Sequence, residues 1–251
     1  FDAAIPNGVV RFVGLAGGVA RSTIYTRGNG MSVTQAFELR LDFQNYWHTG
    51  SGKSSGHHLD ALCQKDADGL PYVSGRQLKG LLRHAVRRAE AWGWYEQAKQ
   101  ALQLTDANAV ETVLFGSASQ EDSRFDSEPG MVFVGNAELA EDERTWLAQP
   151  EQTRLRSQLY VDMYNTAIDA DSGTVVKHSL RGTELAIPVS LFACLNFKPT
   201  ALDPDVFAQQ QQLLNQNTCQ ALIEPALSLV DLCGAHRSRG LGEVIVSLKN
   251  A

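Results

Sequence analysis

Residues 32–43 read SVTQAFELRLDF, and Phe37, Leu39, Leu41 and Phe43 alternate there with polar residues. A period of two marks a strand with one face in the core. At Ser74 the period changes. This residue stands as N-cap before GRQLKGLLRHAVRRAEAWGW (75–94), where Leu78, Leu81, Leu82, Ala85, Ala89 and Trp92 share one side of an amphipathic helix. Shorter helices are expected near 94–104 and 109–115. MVFVGNAEL (131–139) reads as a second strand and TELAIPVSLFACLNF (183–197) as a third, with Pro188 suggesting an edge or a bulge. Residues 203–233 carry one or two helices, Pro225 marking a break or a start. GAHRSRGLGEVIVSL (234–248) is a glycine-rich loop running into a last strand. The order β-α-β-β-α-β predicts an α+β, ferredoxin-like (RRM-type) core with inserted helices. It occupies residues 31–251, with a polar, turn-rich excursion over 151–182, and residues 1–30 stand apart as an extension or linker.

The 251 residues carry 43% apolar and 20% charged side chains, an ordinary globular composition. No apolar run reaches the length of a membrane span, and the first residues are too broken by glycine and charge for a signal peptide. Cys63, Cys194, Cys219 and Cys233 form no C-x-x-C pair, which excludes the usual zinc and disulfide frameworks and suits the cytoplasm. The net charge of −6 hides an asymmetry. Eleven Lys and Arg stand against five Asp and Glu between residues 11 and 88, while acids such as Glu121, Asp122, Glu141 and Glu143 dominate later. Segregated charge is compatible with a polyanionic partner or with plain solvated faces. The same choice applies to Arg76, Lys79, Arg83 and Arg87, which fall within about 80° on the helix.

HTGSGKSSGHHLD (48–60) contains GSGKSS, which invites a nucleotide-phosphate reading. The P-loop needs glycine five residues before Gly52, and that position is Trp47. No helical period follows Ser54 either. The glycines at 50 and 52 therefore serve another purpose, such as bringing backbone N–H groups close to an anion.

Three segments in order resemble the RAMP superfamily of CRISPR proteins. They are HTGSGKSSGHHLDALCQKDADGLPYVSGRQLKGLLR (48–83), YNTAIDADSGTVVKHSLRGTELAIPVSLFACLNF (164–197) and GAHRSRGLGEV (234–244). Within that group the chain looks most like the repeated backbone subunit of type III effector complexes. Three positions depart from the family pattern: Ser74 replaces a proline, Arg76 and Gln77 replace two serines, and Ala170 replaces an arginine.

The resemblance implies a subunit that grips CRISPR RNA beside complementary target RNA, other subunits and copies of itself. Phosphate contacts then fall to His48, Gly50, Gly52, Lys53, Ser74, Gly75, Arg76, Lys79, Arg83, Arg237, Arg239 and Gly240, lining one trough. A β-hairpin thumb from about 155–182 would wedge between bases through Leu159, Tyr160, Met163, Tyr164 and Ile168. Asp60 occupies the family's acidic position. There the resemblance implies metal-dependent endoribonuclease cleavage of guide-paired target RNA, with Asp60 holding Mg2+ or another divalent cation, or taking the 2′-hydroxyl proton. His57 and His58 could assist proton transfer. Two alternatives stay open: a structural guide-binding subunit with an idle Asp60, as in type IV-like or DNA-targeting relatives, or a CRISPR RNA-processing ribonuclease.

Overall fold

The computed structural model describes residues 35–56, 58–104, 109–117, 127–215 and 218–250, and the backbone of 9–14 and 21–26. In the segment expected to stand apart, β1 (Val9–Gly14) and β2 (Arg21–Thr26) pair antiparallel. The other strands among the described residues are β3 (Gln35–Phe43), β4 (Val132–Val134), β5 (Tyr160–Asn165), β6 (Arg181–Ala186), β7 (Ser190–Phe197) and β8 (Val244–Asn250). The helices are α1 (Gly75–Ala91), α2 (Glu96–Ala101), α3 (Ala109–Phe115), α4 (Glu141–Leu147), α5 (Thr153–Gln158), α6 (Pro204–Asn215) and α7 (Thr218–Leu227).

The architecture is mixed α+β around a four-stranded sheet of order β4-β7-β3-β8, every neighbour antiparallel. Alternation along β3 does what its sequence predicts. Phe37, Leu39, Leu41 and Phe43 are buried while the residues between them are half exposed. The buried face meets Leu78, Leu82, Ala85, Val86 and Ala89 of α1 in one core cluster, each large apolar side chain contributing roughly 2 kcal/mol. Register pairs Asp42 with Ser190 and Phe43 with Val244. The loop leaving β3 and those entering β7 and β8 therefore gather at one end of the sheet.

Local chemistry sets the bounds of α1. The Ser74 hydroxyl accepts from the Gln77 N–H at its start. At its end Gly93 adopts φ 77°, and the Gly93 and Trp94 amides return to the carbonyls of Glu90 and Ala89. That is a Schellman closure. It turns Trp92 out to 56% exposure, so this residue is not on the buried side as its spacing predicts.

Two prolines act differently from expectation. Pro188 does not mark an edge within one strand; it separates β6, paired with β5, from β7, which is interior to the main sheet. Pro225 lies inside α7. Pairing of β6 with the preceding chain takes residues 181–186 away from the core sheet, a tertiary choice that apolar patterning alone does not reveal. Helix α5 also occupies ground that reads as turn-rich.

The basic stripe of α1 is anchored inward. Glu111 on α3, its side chain 3% exposed, accepts from Arg83 Nε at 2.5 Å and from Arg87 Nη2 at 2.7 Å. Arg83 also donates to the Gly116 carbonyl at 2.9 Å. Burial works against the Glu111 charge, but hydrogen bonds from Arg87 and Arg83 outweigh it and hold the carboxyl below its ordinary 4.5. A depressed folded value stabilises fully above the unfolded value, and that stability drains as pH falls through the folded one. Glu111→Ala is expected to cost about 3 kcal/mol at pH 7, roughly 6–12 °C in Tm. It also flattens the acid limb of the stability–pH curve. Thermal melts from pH 3 to 7 check this, and an unchanged Tm at neutral pH contradicts it.

Candidate nucleic-acid interface

The chain leaving β3 is fixed by Trp47. Its ring stacks on Phe43 at 4.3 Å, its Nε1 donates to the Ile187 carbonyl at 2.9 Å, and its backbone exchanges hydrogen bonds with Ala186. The residue that breaks the P-loop pattern is thus a core anchor. His48 follows, 3% exposed, with Nδ1 2.7 Å from the Glu184 carbonyl oxygen. A carbonyl only accepts, so Nδ1 is the donor in this contact. The Cys63 thiol donates to the same carbonyl at 3.1 Å. Burial, then the Glu184 charge, pushes that thiol up to about 12, which leaves it a packing group.

Residues 50–63 double back as a narrow ribbon. Gly50 pairs with Cys63 and Ser55 with Leu59, while Ser51 N–H donates to the Leu62 carbonyl and Leu62 N–H to that of Lys53. Gly52 has φ 73° with open space over its Cα, and Lys53 beside it is exposed. Backbone N–H groups there can be approached by an anion without a side chain in the way.

The last glycine loop closes on this ribbon. Ala235 N–H donates to the His48 carbonyl at 2.8 Å and Gly242 N–H to that of Tyr46 at 2.9 Å. Asn45 accepts from Glu243 N–H and donates to the Gly240 carbonyl, both at 3.0 Å. Gly234 has φ 108°, and a Cβ there would sit 2.5 Å from the His48 carbonyl oxygen. His236 takes the left-handed region at φ 57°, its ring 6.1 Å from that of His48. Burial, then Arg239 and His48, lowers its basicity. Arg237, Arg239 and Gly240 are exposed on the short 3₁₀ turn that follows. The arginine turn therefore belongs to a loop fastened to Asn45, Tyr46 and His48, the chain that leads into the glycine ribbon. His48 itself is buried and its Nδ1 is spent on Glu184, so its ring does not face a phosphate.

Asp60 lies at the other end of the ribbon. Its Oδ2 accepts from Gly182 N–H at 2.9 Å and its own N–H donates to the Gly182 carbonyl at 2.8 Å. Oδ1 lies 3.6 Å from Arg181 Nη1, with the Asp60 side chain 50% exposed. His58 is exposed next to it, and His57 falls outside the described residues. Asp66 is a turn residue whose Oδ1 accepts from Asp68 and Leu70 N–H.

Strands β5 and β6 make the hairpin that resemblance implies. Its distal part continues through an Ile168–Val175 bridge, and residues 166–178 are all exposed. Tyr164 and Ile168 stand out at 49% and 60% exposure, together with Val175, Val176 and Leu180, which sequence reading overlooks. Met163 and Leu159 are half buried. Tyr160 belongs to the root instead. Its hydroxyl donates to the Gly69 carbonyl at 2.8 Å and Lys65 Nζ sits 3.8 Å above its ring.

The α1 residues divide from this group. Gly75 N–H donates to Asn136 Oδ1 and a Cβ on Gly75 would meet the Val134 carbonyl oxygen at 2.2 Å. That glycine serves packing against β4, and the Ser74 hydroxyl is used as a cap. Lys79 is half buried with Nζ 5.7 Å from the Phe133 ring; burial, then Arg83, lowers its basicity. Arg83 is committed to Glu111, and Arg76 is exposed. Lys79 lies over Phe133 at the β4 edge of the sheet, whereas the Arg237–Arg239 turn sits in the loop that enters β8 at the opposite edge.

A divalent cation fits Asp60 only narrowly. One carboxylate oxygen is already used by Gly182, and no group of three His, Cys, Asp or Glu among the described residues could hold a metal. Magnesium tolerates one protein carboxylate when phosphate oxygens and water complete its shell, and among the described residues Asp60 Oδ1 is the oxygen on offer at this spot.

A family model described as the RAMP superfamily matches residues 40–245. No curated protein matches the chain. Among solved structures, a cryo-EM structure of Type III-B Cmr-beta in the apo state aligns at TM-score 0.53 with 11% identity, covering 85% of this chain and 97% of that one. Type III-B Cmr-beta bound to cognate target RNA aligns at TM-score 0.53 with 10% identity, covering 85% and 96%. At such identity the likeness is one of fold.

The closure of the two glycine loops is open to test. Gly234→Ala puts a methyl group against the His48 carbonyl at a backbone angle that side chains avoid. The Ala235 amide is expected to exchange with deuterium at least about tenfold faster, a loss near 1.4 kcal/mol of local protection. Exchange at the wild-type rate contradicts the closure.

Proposed function

The chain belongs to the RAMP superfamily, and from that premise we propose that it is a guide-RNA-binding backbone subunit of a type III-like CRISPR effector complex, acting in antiviral defence in the cytoplasm and cleaving guide-paired target RNA at Asp60. The observation that carries the reading is the 48–63 ribbon. One end, at His48, is bonded to Ala235 in the loop that carries Arg237 and Arg239, and the other pins Asp60 to the root of an exposed hairpin. The strand order β4-β7-β3-β8 supports a ferredoxin-like core, since it gives the 4-1-3-2 order of a split βαβ pair once the hairpin β5–β6 is set aside.

Phosphate is gripped without reading bases, by the backbone N–H groups of Gly50 and Gly52 and by Lys53, Arg237 and Arg239. The hairpin tip, with Ile168, Val175, Val176 and Leu180, wedges between bases, and Tyr164 offers a ring nearer the root for a displaced base. Base–aromatic stacking is worth about 1–3 kcal/mol whatever the sequence. The guide and its complementary target RNA are the partners, along with flanking subunits and further copies of this chain. Asp60, anchored through Oδ2, presents Oδ1 toward the scissile phosphate. A divalent cation held there would neutralise charge on the phosphate oxygens. The anchoring by Gly182 keeps the carboxylate from turning away when RNA arrives.

Two outcomes test the reading. In the guide-loaded assembly with labelled complementary RNA and Mg2+, Asp60→Ala is expected to slow cleavage about 10³-fold with target affinity kept. Retained binding with equal cleavage in the variant and the wild type leaves only a scaffold role. Arg237→Ala combined with Arg239→Ala reduces the salt slope of guide binding by about 0.7 for each phosphate no longer neutralised. An unchanged slope removes the loop from the interface.

A further inference from the structure

We propose that Arg181 is a second catalytic residue, donating to a non-bridging oxygen of the scissile phosphate beside Asp60. The inference rests on the reading of Asp60 as the cleavage site. Neither the family's motifs nor the charge pattern singles out this arginine, but the geometry of β6 does. Residue 182 is glycine, and a Cβ there would meet the His58 carbonyl oxygen at 2.6 Å and the Tyr164 ring at 2.9 Å. Only a residue without a side chain lets the 58–60 segment lie against the β6 backbone. That approach brings Asp60 and the neighbouring Arg181 side by side.

The pair is unlike the buried ion pairs that fasten the fold. Glu111 with Arg83, and Glu184 with Lys65, are at 2.5 Å and 2.7 Å with their carboxylates buried. Arg181 and Asp60 stay 3.6 Å apart, with side chains 68% and 50% exposed. That separation is too long for a hydrogen bond, and a pair so exposed adds little to stability. The forked N–H groups of Arg181 therefore still offer the bidentate geometry that matches phosphate. A phosphate at this spot meets a fixed carboxylate on one side and an unspent guanidinium on the other.

The step balances within the RNA. The 2′-oxygen bonds to phosphorus as its proton leaves to a base, and the P–O5′ bond breaks. The departing O5′ takes a proton from solvent, so the products are a 2′,3′-cyclic phosphate and a 5′-hydroxyl. Negative charge accumulates on the non-bridging oxygens in the transition state, and a guanidinium aimed there stabilises that state more than the ground state. Arg181 binds the reacting phosphate but not the rest of the duplex, so its loss lowers rate rather than affinity.

The test uses the guide-loaded assembly, single-turnover conditions and complementary RNA. Arg181→Ala is expected to slow cleavage about 10²-fold or more, with the target dissociation constant within about threefold of wild type. Arg181→Lys restores part of the rate, because it supplies charge without the fork. One sulfur in place of a non-bridging oxygen slows the wild type, while the same sulfur has little further effect in Arg181→Ala. A merely structural arginine would not produce that pattern. If Asp60→Ala abolishes cleavage while Arg181→Ala cleaves at the wild-type rate, the Arg181 assignment is overturned and the Asp60 reading stands. If Asp60→Ala itself cleaves normally, both fall.

Discussion

Glu184 is the point on which the site depends. Its carbonyl accepts from the His48 ring and the Cys63 thiol, and its carboxylate accepts from Cys63 N–H at 2.9 Å and pairs with Lys65 at 2.7 Å. Its own N–H donates to the Ala61 carbonyl at 2.9 Å. One half-strand therefore holds the glycine ribbon, the Asp60 segment and the hairpin root in fixed relation. Buried polar groups are costly unless satisfied, and here each partner satisfies the next. Removing the side chain would leave Lys65 and the Cys63 amide without their acceptor. The arrangement orders a loop of nearly thirty residues (44–73) with no regular strand or helix of its own, where loop entropy would otherwise dominate.

Charge along α1 illustrates how a basic stripe can mislead. Arg83 and Arg87 spend their donors on one buried carboxylate, and Lys79 lies over Phe133. The two arginines fasten α3 to α1, and the lysine packs on β4. The cations left on the surface near the glycine loops are Lys53, Arg237 and Arg239, with Arg181 at the hairpin root. The path proposed for RNA along this end of the sheet thus leans on fewer charges and more on backbone N–H groups, in keeping with a chain of net charge −6.

Much of the fold was legible because its signals are local. Alternation in Phe37–Phe43 and the capped, periodic Ser74–Trp94 segment give β3 and α1 directly, and the 109–115 helix matches α3. Pro188 could not be read correctly, since whether β6 pairs with β5 or extends β7 depends on chain distant in sequence. The site was half legible. The motif glycines and Asp60 announce themselves by spacing, and the structure joins the loop of Arg237 and Arg239 to the chain just before Gly50. Glu184, Arg181 and His236 lie within the segments that carry the resemblance, but what each one touches depends on chain distant in sequence and has no local signal. Tyr160 looked like a wedge because an aromatic in a hairpin reads alike at root and tip.

The central claim is that RNA follows the glycine ribbon and the Arg237–Arg239 turn, past the root of an intercalating hairpin. A cryo-EM map of the guide-loaded assembly tests it most directly. The account predicts guide phosphates within hydrogen-bond reach of the Gly50 and Gly52 backbone and of Arg237 or Arg239, with Ile168 and Val175 between separated bases. Guide density running instead over the open sheet face at Phe133, Phe192 and Ile245, with the hairpin clear of the RNA, would contradict it.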